Sequence, residues 1–174
     1  MYPLKFKPRI KERIWGGHTI LAKKGSAAAR LPKDKLYGES WDLSCVKGDL
    51  SVVNNGMLKG NNIEELIEVY MGDLVGEANY ERYGLEFPLL VKYLDCNDKL
   101  SVQVHPDDEL AAERHQSFGK TEAWYIADCK PGAAIYLGFK DLNITREEYI
   151  AAVAESRLEL LLNRVEVHPG DVFF

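Results

Sequence analysis

Two stretches with polar residues at alternate positions constrain this chain most: Lys99-Leu-Ser-Val-Gln-Val-His-Pro-Asp-Asp108 and Gly119-Lys-Thr-Glu-Ala-Trp-Tyr-Ile126. Side chains two apart on a strand share a face. The first stretch is therefore expected to be a strand that puts Ser101, Gln103 and His105 in one row, with Val102 and Val104 opposite, until the Pro106-Asp107-Asp108 turn stops it. In the second, Lys120 and Glu122 form a polar pair, and Trp124 and Ile126 continue the row as apolar residues. If both rows face one interior, an imidazole, a carboxylate, an amide, a hydroxyl and an ammonium surround one cavity. That inventory suits a divalent metal and an anionic ligand.

Neutral imidazole and carboxylate together favour zinc, whereas magnesium and calcium sites are built mostly of oxygen. Gln103 adds a weaker amide oxygen on the same face. Lys120, beside a metal-bound carboxylate, can pair with a substrate oxygen or phosphate, or take part in proton transfer. Against this stands a plainer reading, in which a single Q-x-H pair is an ordinary strand.

Resemblance decides between them. Leu100-Ser-Val-Gln-Val-His-Pro-Asp-Asp108 and Gly119-Lys-Thr-Glu-Ala-Trp-Tyr125 resemble the metal-site signature of type I phosphomannose isomerases of the cupin superfamily. Ile14-Trp-Gly-Gly17, Gly38-Glu-Ser-Trp41, Phe87-Pro-Leu-Leu-Val-Lys92 and Val167-His-Pro-Gly-Asp-Val-Phe-Phe174 match the shorter bacterial form, in the family's order. The resemblance implies a cytoplasmic, zinc-dependent aldose–ketose isomerase that interconverts mannose 6-phosphate and fructose 6-phosphate through an enediol. It implies one zinc per chain held by Gln103, His105 and Glu122, with Lys120 catalytic and Ser101 and Lys92 binding substrate. Trp15 and Glu39 fall in stretches that lie near the family's active site, although core packing or ion pairing explains them equally well.

The family continues beyond the Gly-Asp-Val-Phe-Phe segment to another metal-binding histidine and later to a substrate arginine. Neither is found in this sequence, which therefore resembles the first part of such an enzyme. An unfinished sheet ending in Val172-Phe173-Phe174 is expected to expose an apolar edge able to pair with another chain. Two other readings use the same barrel: a non-enzymatic sugar-phosphate-binding cupin and an iron-dependent cupin dioxygenase. The second usually presents H-x-H, where this chain has Gln103-Val-His105.

Elsewhere the pattern is mainly β with helical insertions, as in a jelly-roll-like or cupin barrel incomplete at its C-terminus. Short strands are expected at Leu4–Pro8, Tyr37–Val46 and Leu50–Val53, the last two as a hairpin across Lys47-Gly48-Asp49. Ala22–Leu36 reads as a loop. Asn62 and Glu65 form a capping-box start for a helix ending near Gly72 or Gly76, and Thr145 and Glu148 do the same for another through Val153, so insertions are expected near 62–76 and 145–156. Glu86–Asp95 is a strand with few polar residues, so Lys92 within it calls for a partner or a path to water. Further strands flank the Cys129-Lys-Pro-Gly132 turn, and a short helix follows Asp107 or Asp108.

Length sets the prior at one domain over residues 1–174, large enough to bury about 70% of the surface its unfolded chain exposes. A net charge of −5 argues against non-specific nucleic-acid binding, so a phosphate would need a local basic pocket. No apolar run approaches the ~20 residues that span a bilayer, and the N-terminal ten lack a signal-peptide core. Cys45, Cys96 and Cys129 are widely spaced without a C-x-x-C pair, which fits a reducing compartment better than a disulfide framework.

Overall fold

The computed structural model describes residues 1–174, which divide into two compact units, Met1–Leu100 and Ser101–Phe174. The first unit is built on an antiparallel three-stranded sheet of β1 (Arg9–Gly17), β2 (Tyr37–Leu43) and β3 (Val91–Leu94), in that spatial order. β1 inverts the usual alternation. Ile14 is 95% exposed, whereas Lys11, Arg13 and Trp15 are half-buried. The covered face is the charged one because its cations find carboxylates: Arg13 Nη2 lies 3.0 Å from Glu39 Oε2, and Lys11 Nζ lies 2.5 Å from Asp49 Oδ1. This sheet face positions the residues discussed below, since Lys11 pairs with Glu39 and Trp41 pairs with Lys92. Directly opposed residues of an antiparallel pair project to the same side.

Asp49 links the sheet to the turn after β2. Hydrogen bonding from Lys11 holds its carboxyl below the ordinary 3.8; partial burial pushes the other way, and Arg9 adds to the lowering. A carboxylate depressed in the folded state contributes stability above its unfolded pKa, and that contribution is lost as pH falls through the folded value. Asp49→Asn is therefore expected to be less stable than the parent at pH 7 and to show a shallower loss of stability below about pH 4. Urea unfolding at several pH values measures this, and parallel curves for the two proteins would refute it.

Helices cover the rest of the unit. In α1 (Thr19–Lys24) the first-turn amides of Thr19 and Ile20 donate to the buried Asp95 Oδ2 at 2.7 and 3.3 Å, fixing the helix to the end of β3. The expected capping box is present at α2 (Ile63–Tyr70), where Glu65 N–H donates to Asn62 and Asn62 N–H donates to Glu65. Ile63, Leu66 and Ile67 form its buried stripe and, with Ile20, Ala28, Tyr37 and Val53, are the buried apolar residues of this unit. Positive-φ backbone at Met71 and Gly76 breaks the helical path into α3 (Gly72–Val75) and α4 (Glu77–Tyr83).

The second unit contains α5 (Asp108–His115), β4 (Trp124–Tyr125), β5 (Ala134–Phe139), α6 (Arg146–Ala154), β6 (Leu162–Glu166) and β7 (Val172–Phe173). β5 pairs with β6 and β4 pairs with β7, both antiparallel. Val172 and Phe173 thus have a ladder partner on one side. The capping box of Thr145 and Glu148 opens α6 as expected, and Tyr149 of that helix meets Phe139 edge-on at 6.1 Å. Ala111, Ala152 and Val167 are its buried apolar residues.

Several expectations change. Residues 101–107 carry no strand, and Val104 is 91% exposed. A strand needs a ladder, but one backbone bond, from Lys120 N–H to Pro106 C=O, joins this segment to the stretch that follows α5. The strand expected over Leu4–Pro8 reduces to a bridge between Phe6 and Val53, because Arg9–Gly17 takes the place beside β2. The expected strand at Glu86–Asp95 shrinks to β3, with Leu89 and Val91 about half exposed. The strands form sheets of three, two and two, as expected of a barrel left incomplete. No helix is long and apolar enough to cross a membrane.

Candidate functional site

In the second unit, the expected ligand-bearing stretches meet without a sheet. Asp107 caps α5 by accepting from Leu110 N–H at 2.9 Å, and Asp108 accepts from Gly119 N–H at 2.9 Å. Gly119 makes the approach possible, since a Cβ there would lie 2.5 Å from the Asp107 carbonyl carbon. Lys120 N–H then donates to Pro106 C=O at 3.2 Å, bringing the residues after it against His105.

The result is a three-membered polar cluster. His105 Nε2 lies 3.1 Å from Glu122 Oε2, Lys120 Nζ lies 2.9 Å from Glu122 Oε1, and Lys120 Nζ lies 3.2 Å from His105 Nε2. Partial burial, the largest single influence on Glu122, pushes its carboxyl upward. The hydrogen bond and charge of Lys120, followed by His105, together outweigh it and leave the group below its ordinary value. The carboxylate is therefore held in the ionised form, which accepts protons and binds cations. Ser101 and Gln103 pair with each other, with Gln103 Nε2 donating to Ser101 Oγ at 3.1 Å.

The donor types fit zinc. An imidazole nitrogen and a carboxylate oxygen converge, and an amide two residues from the imidazole is the third expected donor. No group of three or more His, Cys, Asp and Glu side chains comes together in the chain; His105 and Glu122 meet as a pair, while Gln103 is hydrogen-bonded to Ser101. His168 is 72% exposed, on a turn beside Asp171.

The first unit contains the other expected site residue. Lys92 Nζ lies 3.9 Å from Glu39 Oε2 and 4.7 Å from the centre of the Trp41 ring. Glu39 also accepts from Trp41 Nε1 at 2.7 Å and from Arg13 Nη2 at 3.0 Å. Lys92 thus has the partner its place in an apolar stretch required. Arg13, Lys11 and Trp41 belong to the same cluster and were not singled out from the sequence as site residues; the signal was the alternation of Arg9, Lys11 and Arg13 with apolar or acidic residues. A cleft lined by Ile67, Val75, Tyr83, Phe87 and Leu89 contains none of the expected site residues.

Residues 3–152 match the family model of the phosphomannose isomerase type I catalytic domain. The chain belongs to that family. Its similarity to mannose-6-phosphate isomerase ManA of Bacillus subtilis is 43% identity over 173 residues, covering 99% of this chain and 51% of ManA. Among solved structures, the mannose 6-phosphate isomerase of Bacillus subtilis superposes with a TM-score of 0.84 at 34% identity, covering 99% of this chain and 52% of that one. A putative mannosephosphate isomerase from Archaeoglobus fulgidus gives 0.79 at 28% identity, with 99% and 55% covered. These likenesses bear out the cupin-like fold class. The chain spans about half the length of the curated relatives it matches.

Proposed function

We propose that this chain carries part of the catalytic machinery of a zinc-dependent aldose–ketose isomerase that interconverts mannose 6-phosphate and fructose 6-phosphate through an enediol. The observation that carries the reading is the convergence of His105, Lys120 and Glu122 in a chain of the type I phosphomannose isomerase family. Gln103, His105 and Glu122 would hold one zinc, which when bound supplies a Lewis acid that stabilises charge on a substrate oxygen. Lys120 is the catalytic residue in this reading. Its ammonium, held by Glu122, can donate a proton to a substrate oxygen or stabilise the charge that develops as the carbon proton leaves. Lys92 and Ser101 bind substrate hydroxyl or phosphate oxygens. A reducing cytoplasm suits the free thiols of Cys45, Cys96 and Cys129.

A coupled isomerase assay tests the reading. This chain, zinc-loaded and chelator-treated, is compared with a chimaera that continues with the corresponding remainder of ManA. Activity in the zinc-loaded chimaera and its loss on chelation are expected. Sugar-phosphate binding without turnover in either protein would favour a non-enzymatic sugar-phosphate-binding cupin.

A further inference from the structure

The ammonium of Lys92 is held differently from the other paired lysines of its unit. Lys11, Lys24 and Lys35 each donate directly to a carboxylate, at 2.5 Å to Asp49, 2.5 Å to Asp42 and 2.7 Å to Glu12. Lys92 lies 3.9 Å from Glu39 Oε2, beyond hydrogen-bond reach, and its charge rests over the Trp41 ring at 4.7 Å. The ring cannot turn freely. Its Nε1–H is anchored at 2.7 Å to the same Glu39 oxygen that accepts from Arg13, and the Glu39 side chain is only 12% exposed. A cation held by a ring face and a longer-range charge keeps its place without committing its N–H donors. Direct salt bridges, as at Lys11, commit them.

We infer that Trp41 is a positioning residue: braced by Glu39, its indole fixes the Lys92 ammonium while leaving its donors for oxygens of a sugar-phosphate ligand. The inference rests on the substrate-binding role proposed for Lys92. Lys11, whose Nζ lies 4.8 Å from the same ring, is committed to Asp49 and takes no part in holding the ligand.

Two readouts on the 174-residue chain test it: the dissociation constant for mannose 6-phosphate, and the acetylation rate of Lys92 relative to exposed Lys59, read by peptide mass spectrometry. Trp41→Leu is expected to weaken binding about three- to tenfold, the scale of a partly desolvated cation–π contact, and to raise Lys92 acetylation toward that of Lys59. Trp41→Phe, which keeps a ring face and loses the anchor, should give smaller changes in both. In a Lys92→Met background, Trp41→Leu should weaken binding no further. Equal Lys92 acetylation in the parent and both Trp41 variants overturns the positioning role whatever the binding data show. Additive losses in the double variant overturn it too, while leaving the Lys92 reading intact. Parental binding by Lys92→Met removes the role of Lys92 itself, and the inference falls with it. If Trp41→Leu fails to fold by near-UV circular dichroism, Trp41→Phe and Glu39→Gln provide the same comparison.

Discussion

Glu122→Gln is expected to reduce zinc affinity at least about a hundredfold, measured by competition against a chromophoric chelator. Removing a group that merely supports a metal ligand costs roughly ten- to a hundredfold, and Glu122 is proposed as a ligand itself. The substitution preserves shape and one oxygen, so the change isolates charge. The carboxylate also neutralises Lys120 at 2.9 Å and meets His105 at 3.1 Å. With an amide there, an ammonium and an imidazole 3.2 Å apart lose the anion between them, which further disfavours a dication. Because these side chains are partly exposed, thermal unfolding should move little. Unchanged zinc affinity would show that Glu122 is not a ligand. Lost affinity together with a large fall in unfolding temperature would mean that the pair matters to the fold instead.

The stretches that carry His105, Lys120 and Glu122 were legible in the sequence through their resemblance to the family's motifs, since a Q-x-H pair alone reads equally well as an ordinary strand. His105, Lys120 and Glu122 do come together, but the strand proposed to align them is absent. Alternation indicates a shared face only where a ladder exists, and here a helix cap at Asp107 and the close approach at Gly119 take over the alignment. Helix starts at Asn62 and Thr145 were legible for a different reason: a capping box is a local hydrogen-bond unit that does not depend on distant partners. β1 shows the opposite case. Its apolar Ile14 faces water while Lys11 and Arg13 are covered, and only the distant Asp49 and Glu39 make that arrangement favourable. Hydrophobic periodicity cannot register a face whose burial depends on ion pairs 26 and 38 residues away.

The Gly16-Gly17 dipeptide is expected to be a packing device, and Gly16→Ala should be among the most damaging small substitutions in the first unit. A Cβ at Gly16 would lie 2.4 Å from the Tyr37 carbonyl carbon and 2.5 Å from Gly38 N, both backbone atoms of β2 that cannot rotate aside. Gly38 answers from the other strand, where a Cβ would meet the Trp15 ring at 2.5 Å and Arg13 Cβ at 2.6 Å. Relief therefore requires β1 and β2 to separate, and that moves Arg13 away from Glu39. Overpacking of this kind costs about 1–3 kcal/mol and sometimes more, and each kcal/mol lowers the melting temperature of a chain of this length by roughly 2–4 °C. Gly17→Ala is the informative comparison, because its nearest obstacle is the side-chain amide of Asn97. That amide can swing away at the expense of its 2.8 Å bond to Asp95, so the loss should be smaller. Equal melting temperatures for Gly16→Ala and the parent would mean that the two strands separate at no cost, and the tight crossing would then explain nothing about the dipeptide.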